Sequence, residues 1–211
     1  RLNMRLTRET SLLLVIDIQR KLAPAILDHE RVTVRTEALV TAADLFGIPK
    51  LITEHCPQQI GALVEPLRSR FGADEIFEKT AFSATDHPEF VRKVRATGRR
   101  QVVMTGMETH VCVLQTALEL HARGLQVFVV EEPGTMRPAL DAHRTRDGSS
   151  LRAVRLPGRL LSFFPGGEAT HPLPDAPDGA RMDELPPACA GVETGARLGG
   201  AAFDVPGQRG P

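Results

Sequence analysis

The sequence predicts an α/β fold of three layers, α-β-α, with a mostly parallel open sheet in the middle and an irregular C-terminal tail. Three observations predict it. Leu12–Ile18 (LLLVIDI) is a continuous apolar run, which is how a strand buried on both faces reads. Strand-like and helix-like segments alternate from there to about residue 130. Gly47, Gly98 and Gly124 fall where the intervening helices would need a C-cap.

The elements follow in order. Leu12–Ile18 is the first strand, and a loop containing Pro24 comes after it. Val34, Leu39, Val40, Ala43 and Phe46 give helical spacing over residues 32–46, closed by Gly47. Ile48–Thr53 is the second strand, Leu63–Arg70 a short helix, and Glu75–Lys79 the third strand. Pro88–Ala96 is a helix that begins with proline, where the missing N–H costs nothing. Gln101–Gly106 is the fourth strand, Thr109 caps a helix running to about Arg123, and Leu125–Val130 is the fifth strand.

The chain has 211 residues, and 26 basic side chains balance 26 acidic ones. With no net field, no Trp and no Tyr, it has neither the charge nor the stacking surfaces expected of a nucleic-acid binder. The apolar run near the start is too short for a signal-peptide core or a membrane span. Cys56, Cys112 and Cys189 form no CxxC pair, so a zinc or thioredoxin-like motif is not indicated. A reduced, cytoplasmic setting is the simpler reading.

Ligands of open parallel sheets bind at the C-terminal ends of the strands. Asp17, Lys79 and the segment Met107–Cys112 all fall at or just past such ends. Cys112 lies near a helix start, where unpaired N–H groups and the dipole favour thiolate; read alone it is equally a small buried core residue. Asp17 ends an apolar strand, so it faces a site, pairs, or caps the strand exit. Lys79 read alone is an ordinary solvated lysine. Together, a thiol, a carboxylate and an ammonium suit acyl transfer. The carboxylate takes the thiol proton, the thiolate attacks a carbonyl, and water later releases the acyl group.

LLLVIDIQ, EKTAFSA and GMETHVCVLQTALEL, in that order, resemble the isochorismatase-like cysteine hydrolases, in particular the metal-free branch of isochorismatase-domain-containing proteins. The resemblance covers about residues 10–138, including GIPKLITEH and GLQVFVVEEPGTMRP. It implies a Rossmann-like hydrolase fold with Asp17, Lys79 and Cys112 as catalytic triad. It also implies a non-proline cis peptide at Met107–Glu108 and an oxyanion site at the N–H groups of Glu108 and Cys112. Gln19 and Phe82 match site-lining positions and are equally readable as packing residues. No metal or other cofactor is implied. TEHCPQQIG carries only His55, without the partners of a nicotinamidase metal set, and a lone histidine is more often a packing residue than a ligand. Cys56 follows His55, but neighbours on a strand point to opposite faces, so the two do not form a dyad.

The expected activity is hydrolysis of a small amide-like C–N bond in a small-molecule substrate, by a homo-oligomer, with neither nucleic acid nor membrane as partner. Two alternatives stand beside it: a non-catalytic interaction protein that keeps the fold, and an isochorismate-type ether hydrolase. The domain reading is a core over residues 1–132, a divergent end over 133–165 and a Pro/Gly-rich tail over 166–211. From Pro133 to Pro211 lie 11 of the 16 prolines and 12 of the 18 glycines. Leu151–Leu156 or Arg159–Phe164 is the candidate last strand. The segment is either a genuine divergent extension or the product of a shifted reading frame, and the encoding DNA decides between them.

Overall fold

The computed structural model describes residues 5–26, 28–107, 109–131 and 152–155. Its strands are β1 (Ser11–Ile16), β2 (Lys50–His55), β3 (Ile76–Lys79), β4 (Gln101–Gly106), β5 (Gln126–Glu131) and β6 (Arg152–Arg155). Its α-helices are α1 (His29–Phe46), α2 (Pro57–Ile60), α3 (Glu65–Arg68), α4 (Pro88–Ala96) and α5 (Leu114–Ala122). One sheet holds all six strands in the order β3-β2-β1-β4-β5-β6. Every pairing in it is parallel, where a mostly parallel sheet was expected. The order reverses between β1 and β4, and a crevice opens beyond the strand ends at such a switch point.

Alternation along the strands sorts side chains into two cores. Leu13, Val15, Ile52, Val103 and Phe128 face the side covered by α1, against Val32, Leu39, Val40 and Ala43. Leu12, Leu14, Ile16, Leu51, Val102, Met104, Val127 and Val129 face the other side, against Phe90 and Val94 of α4 and Ala117 and Leu120 of α5. β1 is buried along its whole length, as a central parallel strand must be. Gly47 ends α1 in the left-handed conformation (φ 63°), its N–H donating to Ala43 O and Asp44 O. His87 caps α4, its Nδ1 accepting from the Phe90 N–H at 3.3 Å, with Pro88 behind it.

Three expectations shift. β1 stops at Ile16, because Asp17 takes a left-handed conformation (φ 52°) and turns the chain out of the sheet. The helix expected from Leu63 shrinks to Glu65–Arg68, because Leu63 and Val64 are held by hydrogen bonds to Glu54 and Ile18. The helix expected to start at Thr109 instead opens with a π-helical turn, Thr109–Val113, before α5 begins. Of the two candidate last strands, the first contains β6; the second lies outside the described residues, as does the Pro/Gly-rich tail.

Gly106 fixes how closely the ends of β1 and β4 approach. A Cβ there would fall onto the Ile16 carbonyl oxygen and 2.7 Å from Ile16 Cβ. The same carbonyl accepts the Met107 N–H at 3.1 Å, so the chain leaving β4 is laid against the exit of β1. Gly106→Ala is expected to cost about 1–3 kcal/mol by overpacking and to pry these two exits apart. Urea denaturation checks this; an unchanged midpoint would show that the strands part without penalty.

Candidate functional site

Asp17 is buried, and both of its carboxylate oxygens are engaged. Lys79 Nζ donates to Oδ2 at 2.6 Å, and Thr53 Oγ1 donates to Oδ1 at 2.7 Å. Lys79 is buried as well, and its ammonium reaches two more acceptors, Phe82 O at 3.1 Å and Ala81 O at 3.3 Å. The three protons of the ammonium therefore meet a carboxylate and two carbonyls. A buried ion pair persists only when its remaining hydrogen-bonding capacity is filled this way. Three elements meet here: the exit of β1, Thr53 on β2, and the end of β3.

The loop after β3 is tied to α5. Ala84 N–H donates to Thr116 Oγ1 at 3.0 Å, Ser83 Oγ donates to Glu119 at 3.0 Å, and Thr85 Oγ1 donates to the same Glu119 oxygen. Asp86 lies close enough that burial, and then the Glu119 charge, push its carboxyl above the usual range, with Arg123 opposing. The loop that cages Lys79 is thus fastened to the helix that follows Cys112.

Cys112 sits in the π-helical turn between β4 and α5, fully buried. It belongs to the core cluster that holds Ile16, the residue before Asp17, and Ala84, with Phe82 packed against it. Met107 is buried in the opposite cluster, and its N–H is held by Ile16 O. Glu108, and with it the expected Met107–Glu108 cis bond and its oxyanion N–H, lies outside the described residues.

Gln19 is buried, and its amide is engaged by main chain. Oε1 accepts the His55 N–H at 2.7 Å, while Nε2 donates to His55 O at 3.0 Å and to Gly61 O. It clamps the end of β2 to the segment beyond. Phe82 stands half-buried over the site and stacks on His55, with ring centroids 5.6 Å apart and planes at 29°.

His55 is the site neighbour that the sequence reading passed over as a packing residue. It ends β2 in register with Lys79 on β3. Burial, then the Lys79 charge, hold its imidazole below the ordinary histidine value, while Asp17 and a hydrogen bond with the Ala81 main chain pull the other way. A signal existed in the pattern. Leu51, Thr53 and His55 share one strand face, and a buried carboxylate at the neighbouring strand end needs partners from that face.

The matching family model is the isochorismatase domain, over residues 11–145. The chain belongs to the isochorismatase family. Isochorismatase domain-containing protein 2 of Bos taurus is 34% identical over 172 residues, covering 77% of this chain and 78% of its own length. Isochorismatase domain-containing protein 1 of Danio rerio is 33% identical over 136 residues, which are 64% of this chain but only 48% of that relative. Among solved structures, YcaC from Pseudomonas aeruginosa with hexane-2,5-diol and covalent acrylamide is 28% identical at a TM-score of 0.64, covering 72% of this chain and 80% of that one. YcaC from Escherichia coli, described as an octameric hydrolase of unknown specificity, is 26% identical at a TM-score of 0.62, covering 72% and 79%. Among the described residues, no group of three or more His, Cys, Asp or Glu is placed to hold a metal ion, and no helix is long and apolar enough to cross a membrane.

Two outcomes are expected. Lys79→Ala leaves Asp17 buried without its counter-charge and should cost about 3–5 kcal/mol, read by chemical denaturation; a loss under about 1 kcal/mol would mean that solvent reaches the pair. The second concerns pH. The folded His55 binds its proton less readily than the unfolded chain, whose histidine titrates near 6.5. Stability is therefore present above pH 6.5 and is lost as pH falls through the folded His55 value. Thermal melting between neutral and mildly acidic pH reads this, and His55→Gln should flatten that part of the curve.

Proposed function

We propose that the chain is a hydrolase that cleaves a small amide-like C–N bond through a covalent intermediate on Cys112. The observation that carries this reading is the buried ion pair between Asp17, at the exit of β1 beside the switch point, and Lys79, at the end of the rim strand β3. A dry carboxylate–ammonium pair is expensive to keep, and with a cysteine from the next helix start it supplies the three groups that acyl transfer uses.

In this reading the Asp17 carboxylate takes the thiol proton, and Lys79 holds the charges in place. The thiolate of Cys112 attacks the carbonyl carbon. The tetrahedral oxyanion is held by main-chain N–H groups, which the family resemblance assigns to Glu108 and Cys112. The C–N bond breaks, and the amine leaves with the proton from Asp17. A water then gives its proton to Asp17 and attacks the thioester, and the acid departs as the thiol re-forms. Gln19 is a positioning residue for the end of β2, and Phe82 lines the site.

Two relatives support the reading. Acrylamide is an electrophile that reacts with thiolates, and one YcaC carries it covalently. The other YcaC is an octameric hydrolase, which favours a homo-oligomer here as well. A Caenorhabditis elegans neighbour, 35% identical at a TM-score of 0.56, is called a MAR1 ribonuclease. The zero net charge of this chain disfavours that substrate.

The test is a pH series of iodoacetamide labelling with the modified cysteine located by mass spectrometry, followed by a panel of small amides. Cys112 should label well below pH 8.5, the value near which a free thiol titrates. Asp17→Asn and Lys79→Ala should slow it. Cys112→Ser should lower amide hydrolysis on the order of 10³-fold or more. Labelling that ignores both triad substitutions points to a non-catalytic protein, and an active Cys112→Ala variant points to ether hydrolysis.

A further inference from the structure

We propose that His55 is a further positioning residue of this site, one that acts through Lys79 by bracing the Ala81–Phe82 main chain that cages the ammonium. The proposal rests on the cysteine-hydrolase reading above and adds a fourth side chain to it.

Two of the three acceptors around Lys79 Nζ are carbonyls of a loop that has already left the sheet. Such carbonyls hold an ammonium only as firmly as the loop itself is held. On one flank the loop is fastened to α5 through Ser83, Ala84 and Thr85. On the other flank stands His55. Its ring stacks on Phe82 at 5.6 Å and lies close enough to the Ala81 main chain for that carbonyl to favour its protonated form. One imidazole therefore touches both residues whose carbonyls receive Lys79.

The ring is itself set in place rather than merely adjacent. Gln19 grips the His55 main chain by both its N–H and its carbonyl. The pairing of β2 with β3 puts His55 level with Lys79. Among the described residues, the charged groups that act on the ring are Lys79 from β3 and Asp17 from the exit of β1. Glu54, its neighbour on β2, is engaged elsewhere, by the Leu63 N–H at 2.8 Å and by Arg68 at 2.9 Å. An imidazole suits the position because it is flat enough to stack, can donate a hydrogen bond, and is neutral at pH 7. A permanent cation there would compete with Lys79 for Asp17.

A packing role and a bracing role predict different variants. His55→Phe keeps the stacked ring and loses the ring nitrogens that face the Ala81 main chain. His55→Gln loses the ring and keeps a donor. Phe82→Leu removes the stack from the loop side without touching His55. The readout is the pH midpoint of iodoacetamide labelling at Cys112 in the full chain, with thermal melting of each variant recorded alongside and Asp17→Asn and Lys79→Ala as controls.

The bracing role predicts that His55→Phe raises the midpoint by about one pH unit, which slows labelling at pH 7 about tenfold. His55→Gln should restore most of the rate, and Phe82→Leu should shift the midpoint in the same direction as His55→Phe. A wild-type midpoint in both His55→Phe and Phe82→Leu, whatever their melting temperatures, overturns the proposal while leaving the triad reading intact. His55→Gln as slow as His55→Phe overturns a polar contribution of His55 to the brace. If the Asp17 and Lys79 controls also leave the midpoint unmoved, the hydrolase reading itself has failed, and the brace fails with it.

Discussion

A carboxylate and an ammonium share a dry interior at the centre of this molecule, and much of the surrounding structure answers to that constraint. Asp17 and Lys79 lie 2.6 Å apart with almost no solvent contact. Moving such ions out of water is expensive, and their attraction repays it only when every remaining lone pair and proton is matched. The matching groups come from elements distant in sequence. Thr53 arrives on β2, two carbonyls arrive on the loop after β3, and that loop is pinned by Thr116 and Glu119 of α5. The pair thus ties four pieces of chain to one another, and a displacement of any one leaves a buried charge under-satisfied.

A second device closes the same end of the sheet. The segment after β1 is laced to the segment after β2 by main-chain bonds: Arg20 N–H to Ala62 O, Lys21 N–H to Ile60 O, and Val64 N–H to Ile18 O. Gln19 adds its amide to the lacing, and Glu54 draws in Leu63 and Arg68. Buried polar side chains that look like site candidates can therefore serve as fasteners. Gln19 is the clear case, because the hydrogen bonds it makes are to backbone.

The parallel core was legible because burial on both faces leaves an unmistakable run of apolar residues, as in β1, and because proline and glycine mark the ends of α4 and α1. The pairing of Asp17 with Lys79 was legible as two strand ends carrying opposite charges, within motifs of the family resemblance. What stayed hidden depends on tertiary hydrogen bonds. The left-handed turn at Asp17, the shortened helix after Leu63 and the π-helical turn holding Cys112 leave no periodic trace. His55 stayed hidden for a different reason. A single histidine has many unremarkable uses, and only the register of β2 against β3 puts it level with Lys79. Glu119 escaped notice because its partners, Ser83 and Thr85, lie 36 and 34 residues earlier in the chain.

The placement of β3 carries one more consequence. It is four residues long and, among the described residues, pairs only with β2, at the rim of the sheet, yet it delivers the lysine. Rim strands open first when a protein breathes, by local excursions that leave the rest of the fold intact. The ion pair is thus mounted partly on a strand that opens more readily than the centre of the sheet. The lifetime of the pair is set by how often the rim lifts, not by when the whole domain melts, so warming parts Asp17 from Lys79 ahead of global unfolding.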